Sequence, residues 1–281
     1  MKIGVVDMGG GYRAIYAAGV LDYCLDHEIR FDLGIGVSAG SANLISYAAG
    51  QARRNLKFYT EYGRRKEYAG AANFFKKKSF IDLDYIYATL SNSDGENPLD
   101  YAAFSKNPME FYAVATEAET GKAVYFDKSC ISQDRYDVLK ASCALPIACH
   151  PYEVDGTPYF DGALSDPIPV KKAFDLGCDR VILLLTRPED QARDLHEDDK
   201  AVKLLHHRYP AASASLHLRA KKYNDSVAYT RKLAEEGKAL IVAPDDTCGV
   251  TTLTRDPEPL HQLYRKGYAD GVKISIFLNA E

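Results

Sequence analysis

The run Phe31-Asp32-Leu33-Gly34-Ile35-Gly36-Val37-Ser38-Ala39-Gly40-Ser41-Ala42-Asn43-Leu44-Ile45-Ser46-Tyr47-Ala48-Ala49 changes character at a single serine. Up to Val37 it is short, apolar and β-branched at its end, as a buried strand is. After Ser38 it is rich in alanine and leucine, as a helix is. A serine between Gly36 and Gly40 at such a junction has the context of a nucleophile elbow, where a sharp strand-to-helix turn exposes Oγ. The glycines keep Cβ atoms out of the crowded turn, and the helix N-terminus behind the serine favours developing negative charge. Taken alone, the pentapeptide also reads as a glycine-rich turn with a capping serine.

Working outward, the chain opens with an apolar strand, Lys2-Ile3-Gly4-Val5-Val6-Asp7, followed by Met8-Gly9-Gly10-Gly11-Tyr12-Arg13 and an apolar helical stretch from Ala14 to Leu25. Consecutive glycines between strand and helix can point several N–H groups one way, toward a phosphate or an oxyanion. A dinucleotide fingerprint fits poorly, because its third glycine falls at Ala14 and no acidic residue ends a second strand before the serine elbow. A phosphate loop of the Walker type fails for lack of Gly-Lys-Ser/Thr. Further along, Tyr159-Phe160-Asp161-Gly162-Ala163-Leu164 delivers an aspartate from a strand end into a glycine turn. Asp-Gly is also among the commonest turn dipeptides, so this element carries weight only with the other two.

Together these elements resemble the bacterial branch of the patatin-like phospholipase family. The likeness extends to Phe111–Thr116 with Glu119–Lys122, to Ala141–Pro146, to Arg180–Pro188 and to the tail from Tyr223 to Tyr268, so it covers nearly the whole chain. The resemblance implies an α/β, three-layer patatin-like fold with a mostly parallel central sheet and helices on both faces. It implies a serine acyl hydrolase in which Ser38 and Asp161 form a catalytic dyad. The oxyanion loop would comprise Gly9, Gly10, Gly11, Tyr12 and Arg13, joined by the N–H of Ala39. Ala14 departs from the family pattern, which usually has glycine after the arginine.

Length and composition agree with a globular chain. It has 281 residues, 46% of them hydrophobic, and a formal net charge of −4. That charge gives no general affinity for nucleic acid. Six cysteines without a Cys-x-x-Cys pair read as reduced thiols of an intracellular protein. The N-terminus enters a strand directly, without the pattern of a signal peptide, and no apolar run approaches 18 residues. A cytoplasmic location, with peripheral contact at the inner membrane surface, is the expectation. Histidines such as His206, His207 and His217 lack metal-ligand spacing, so no metal or cofactor is expected.

Strand patterns at 2–7, 32–37, 110–116, 123–127, 152–154, 158–160, 180–186 and 239–243 alternate with helical ones, as an α/β sheet requires. Hairpins are expected across Thr120-Gly121 and Asp155-Gly156. The expectation is one hydrolase domain over 1–281, with 210–281 as a C-terminal extension packed on it. Residues 189–199 are acidic and read as a mobile loop, and 213–238 as a charged helical segment. Residues 51–80 stand apart: nine Lys/Arg against two Glu leave +7, with seven interleaved aromatics. That stretch reads either as a cap meeting anionic lipid headgroups or as a solvated basic face with ordinary packing aromatics.

Three other mechanisms stay open at this level. A Ser-His-Asp hydrolase is compatible with His217 and His261 lying after Asp161, although the elbow comes early for that fold. A malonyl-type acyltransferase would have histidine where Val37 stands. A non-enzymatic acyl-lipid binding or regulatory protein could retain the pocket. The substrate ester is open as well, from phospholipid and lysophospholipid to neutral glyceride.

Overall fold

A computed structural model describes residues 1–70, 73, 79–146 and 148–280. Its framework is an eight-stranded sheet: β1 (Ile3–Asp7), β2 (Leu33–Val37), β3 (Glu110–Glu117), β4 (Ala123–Asp127), β5 (Tyr152–Val154), β6 (Thr157–Asp161), β7 (Arg180–Leu184) and β8 (Ala239–Val242). The order is β5-β6-β3-β2-β1-β7-β8, with β4 also paired to β3. The pairs from β3 through β2, β1 and β7 to β8 are parallel, while β3–β4, β3–β6 and β5–β6 are antiparallel. Every expected strand is present, with ends differing by one or two residues, and both expected hairpins form.

The sheet separates two apolar layers. Ile3, Val5, Ile182 and Leu184 face α1 (Ile15–Asp26), α2 (Ala39–Ala48) and a C-terminal helix, Pro257–Asp270. Val6, Leu33, Ile35, Val37, Val181 and Leu183 face the helices Val170–Asp175 and Arg219–Glu235. Parallel strands covered on both sides become continuous hydrophobic runs, which is why β1, β2 and β7 are so apolar. The fold is therefore the expected three-layer arrangement.

The acidic segment 189–199 is tied down rather than loose. Arg193 pairs with Glu197, Arg219 with Asp198, and Arg231 with Glu189. The six cysteines are all unpaired, but only Cys24, Cys149 and Cys178 are buried, and Cys130 is exposed. No helix among the described residues is long and apolar enough to cross a membrane.

The helix Pro257–Asp270 docks on α1 almost backbone to backbone. A Cβ on Gly19 would overlap the Tyr264 carbonyl, and a Cβ on Gly267 would overlap the Tyr16 carbonyl. Polar bonds flank this crossing: Tyr16 Oη donates to Asp270 at 2.5 Å and Tyr264 Oη to Asp22 at 2.8 Å. One methyl at the crossing must push the helices apart. Gly267→Ala is therefore expected to destabilise the protein by about 1–3 kcal/mol, the usual range for overpacking, despite alanine's better helix propensity. Chemical denaturation of the variant measures this, and an unchanged midpoint would contradict the close crossing.

Candidate active site

Strand register brings the serine and the aspartate together. Val37, the last residue of β2, is opposite Val114 on β3, and the next β3 residue, Ala115, is opposite Asp161 on β6. Ser38 and Asp161 thus leave the sheet at the same level, on either side of β3. Asp161 can turn sharply there because Gly162 lies against the Val114 carbonyl, where a Cβ would not fit.

Ser38 sits at φ 56°, ψ −133°, between β2 and α2. This is the conformation of the first central residue of a type II′ turn, which glycine normally supplies. A non-glycine residue held there costs about 1–3 kcal/mol and needs surrounding structure to hold it. Two serines do so. The Ser38 N–H donates to Ser142 Oγ at 3.0 Å, and Ser41 Oγ donates to the Ser38 carbonyl at 2.5 Å. Ser41 Oγ also reaches Ser142 Oγ at 3.1 Å, closing a small buried network.

The flanking glycines act through space. A Cβ on Gly36 would overlap the backbone of Ser41, and one on Gly40 would overlap the Asp7 carbonyl. Both substitutions would lift α2 off the ends of β1 and β2.

Asp161 is 2% exposed. Burial pushes its carboxyl up to about 6, against hydrogen bonds from the Ser38 hydroxyl and the Ala163 N–H and the charges of Arg219 and Arg193. The Ala163 N–H donates to Asp161 Oδ1 at 2.8 Å. Among the described residues, no histidine lines the adjoining cavity, and none is among the leading influences on Asp161. His217 and His150 are exposed, and His261 lies on the C-terminal helix.

In the glycine loop, Gly9, Gly10 and Gly11 all have positive φ, at 68°, 119° and 61°. The loop is pinned from below by residues with no assigned role in the sequence reading. Asp7 Oδ1 accepts the Gly9 N–H at 2.9 Å, its Oδ2 accepts Asn43 Nδ2 at 2.9 Å, and Thr186 Oγ1 donates to the Gly9 carbonyl at 2.6 Å. Asp7 is fully buried, which pushes its carboxyl up to about 6. The position of Asp7 at a strand end before glycines was its only sequence signal. Asn43 and Ser142 had none, because their partners are distant in the chain.

The loop donors are fewer than the sequence suggested. The Tyr12 N–H donates to the Thr252 carbonyl at 3.2 Å, and the Gly9 N–H is taken by Asp7. Among the described residues, the N–H groups of Gly10, Gly11 and Ala39 have no such partner. Arg13 lies beside Gly10, outside the cavity lining, and its buried Nε has no partner. Burial and the neighbouring charges of Arg187 and Arg193 lower its guanidinium to about 10. Ala14 takes ordinary right-handed angles (φ −65°, ψ −7°) and is fully buried, so an alanine fits where the family pattern has glycine.

Gly11, Ser38 and Ala39 border a cavity that is partly open to solvent. Its walls come largely from the segment after α2. Phe58 and Tyr59 of α3 (Arg54–Thr60) and Tyr68 line it, so these three aromatics face inward. Tyr62 is also buried, Phe80 is half-buried, and Phe74 and Phe75 lie outside the described residues. Of the basic residues, Arg54 is buried, Arg53 pairs with Asp26, and Arg65 pairs with Glu96. Lys57, Arg64 and Lys66 are exposed, and Lys76, Lys77 and Lys78 lie outside the described residues.

A family profile described as patatin-like phospholipase matches residues 8–174, and the chain belongs to that family. A second profile, a domain of unknown function (DUF6363), matches residues 209–275. An uncharacterized Escherichia coli protein, YjjU, is 30% identical over 189 residues, covering 66% of this chain and 52% of that protein. Lysophospholipase nte1 of Aspergillus terreus is 27% identical over 185 residues, covering 63% of this chain and 11% of the fungal protein. The chain thus corresponds to about half of the bacterial relative and a small part of the fungal one. Among solved structures, VipD from Legionella pneumophila matches with a TM-score of 0.50 at 13% identity, over 97% of this chain and 66% of that one. At that identity the likeness concerns the fold.

Because glycine adopts the elbow conformation without strain, Ser38→Gly should stabilise the protein by about 1 kcal/mol or more relative to Ser38→Ala, which keeps the strain. Urea unfolding of the two variants side by side tests this; equal midpoints would mean the elbow stores no strain.

Proposed function

We propose that this chain is a serine acyl hydrolase acting on lipid esters by a Ser38–Asp161 dyad. The observation that carries the proposal is the serine held in a glycine-like conformation at the same level of the sheet as a buried carboxyl. In the first step Ser38 Oγ bonds to the ester carbonyl carbon and its proton passes to Asp161. The oxyanion forms among the N–H groups of Gly10, Gly11 and Ala39, with the N-terminal dipole of α2 behind it. Collapse breaks the bond to the alcohol, which leaves with the proton from Asp161. Water then attacks the acyl-serine, gives a proton to Asp161, and releases the acid as Ser38 regains its hydrogen.

A carboxyl near 6 suits this work. It is ionised at neutral pH yet basic enough to take a proton. No histidine among the described residues lines the cavity beside Ser38, which speaks against the Ser-His-Asp alternative. Residues 210–281 act in this reading as an extension that buttresses the domain through Pro257–Asp270 and supplies Thr252 to the glycine loop. The substrate is a lipid or acyl ester, and the apolar cavity beside Ser38 takes its acyl chain.

Ser38→Ala should abolish both ester hydrolysis and labelling by an alkyl fluorophosphonate, with folding intact. Labelling of the variant at the wild-type rate would place the nucleophile elsewhere. Asp161→Asn should lower turnover by about 10²–10⁴. For the wild type, kcat/KM should fall on the acid side with an apparent pKa near 6, as Asp161 protonates. The stability effect has the opposite direction. A carboxyl raised in the folded state binds its proton more tightly there, so the stability linked to Asp161 is present below about 4 and lost as pH rises through about 6. Asp161→Asn should therefore be more stable to unfolding than the wild type at pH 8, by up to about 2–3 kcal/mol, and the gap should close toward pH 4. A variant that is inactive and also less stable at pH 8 would contradict this assignment.

Peripheral contact with anionic membrane is proposed on the exposed Lys57, Arg64 and Lys66, together with Lys76–Lys78. Each well-placed cation contributes about 1 kcal/mol near an anionic surface, and salt screens it. Flotation with anionic vesicles should show binding that weakens as salt rises. Equal partition onto zwitterionic vesicles would remove this part of the proposal.

A further inference from the structure

The cavity beside Ser38 is apolar along its length but polar at one end. Its apolar lining includes Phe58, Ile81, Leu83, Ile86 and Leu145. At the end away from the serine are Arg54, Asn55 and Ser91, which are 7%, 9% and 3% exposed. The distance between the ends follows from α2. Arg54 Nη1 donates to Ser46 Oγ at 3.0 Å, and Ser46 is eight residues beyond Ser38. At 1.5 Å per residue the guanidinium is roughly 10–12 Å along the helix from the nucleophile.

Arg54 is an unusual residue to bury there. Its other recorded bonds, from Nη2, go to Ser91 Oγ and the Asn97 carbonyl, each at 3.0 Å. All three acceptors are neutral. Phe58 covers one face of the guanidinium, with Cζ 4.8 Å from the ring centroid. No carboxylate among the described residues is paired with it, and its buried Nε has no partner at all. A buried charge without a counter-charge is costly, and such charges are normally paired. Three neutral bonds explain why an arginine can tie α2 to the segment 91–97. They do not explain a cation without a counter-charge in the wall of the cavity.

We propose that Arg54 is a specificity residue for the far end of the acyl group, and that the preferred substrate is an ester of a medium-chain acid carrying a second, ω-terminal carboxylate. The ester carbonyl sits at Ser38, the methylenes run past Phe58 and Ile86, and the remote carboxylate pairs with the Arg54 guanidinium, with Asn55 and Ser91 beside it. Charge-assisted hydrogen bonds to arginine are the strong ones, and the surrounding apolar walls make this one stronger still. The same arrangement disfavours a plain alkyl tail, which would cover the guanidinium without satisfying it. This inference rests on the acyl-hydrolase reading of Ser38.

The test compares matched 4-nitrophenyl esters: decanoate against the mono-ester of decanedioic acid, with shorter and longer members of each series. The wild type should favour the ω-carboxylate ester by about tenfold or more in kcat/KM at the optimal length, because a polar site left unfilled discriminates strongly. Arg54→Met should reverse that preference, while Arg54→Lys, which keeps the charge, should retain part of it. Because Arg54 also holds Ser46, Ser91 and Asn97, both variants could fail to fold, and the wild-type comparison then decides by itself. Equal or faster turnover of the plain ester at every length overturns the proposal. If no ester is turned over, the hydrolase reading fails, and binding decides instead. Decanoate, which can place its carboxylate on Arg54, should then bind the wild type at least about tenfold more tightly than decan-1-ol by calorimetry. Equal affinity would overturn the proposal.

Discussion

The site depends on how closely α2 can approach the ends of β1 and β2. Ser38 is lifted out of the sheet only because the next helix doubles back over the strand it has just left. That path leaves no room for a side chain at Gly36 or Gly40, whose missing Cβ atoms would fall on the Ser41 backbone and the Asp7 carbonyl. Gly9 is held by the same crowding from the other side, against Val37 and the start of α2. Three glycines from two loops thus share one steric constraint. The buried carboxylate of Asp7 ties it together, bonding the Gly9 N–H with one oxygen and Asn43 of α2 with the other. Loosening any of these contacts would move the glycine loop relative to the serine.

Stability is given up locally to hold this geometry. Ser38 keeps a backbone conformation suited to glycine, and two carboxyls, Asp7 and Asp161, are buried where water cannot solvate their charge. Each raised carboxyl and each strained angle opposes folding at neutral pH. Compensation comes from packing elsewhere. The two apolar layers run the length of the sheet, and the C-terminal helix seals the outer face of α1 at a glycine crossing too close for any side chain. The close docking of that helix also places the Thr252 carbonyl on the Tyr12 N–H, so the extension and the glycine loop are mechanically joined.

Much of this could be read from the sequence, and the boundary falls where contacts become long-range. The strands were legible because buried parallel strands are continuous apolar runs, and the hairpins because Asp-Gly and Thr-Gly mark turns. Ser38, Asp161 and the glycine loop were legible because each combines a strand end with glycine. The supporting groups were not. Ser142 reaches the Ser38 N–H across 104 residues, and Thr252 reaches Tyr12 across 240, with nothing local to mark either. The Tyr12 N–H, counted among the loop donors, is bonded to that distant carbonyl. The acidic segment 189–199 looked mobile because its composition is that of a solvated loop. Its partners Arg219 and Arg231 lie on a helix more than twenty residues away.

In the described part of the basic, aromatic segment after α2, aromatics build an interior while Lys57, Arg64 and Lys66 stay at the surface. Positive charge with interleaved aromatics is what an interfacial helix displays, but that reading requires the aromatics to face outward. Here Phe58, Tyr59 and Tyr62 are buried, and α3 presents Phe58 and Tyr59 to the cavity rather than to solvent. Once the aromatics turn inward, a basic residue on the same helix face must turn inward with them, since positions i and i+4 share a face. Arg54 and Phe58 are such a pair. The cation in the cavity wall is therefore a consequence of how α3 is oriented, and a neutral side chain at position 54 could have met the same helix packing without the cost of a buried charge. The proposed carboxylate of the occupant would supply the counter-charge that the surrounding fold does not.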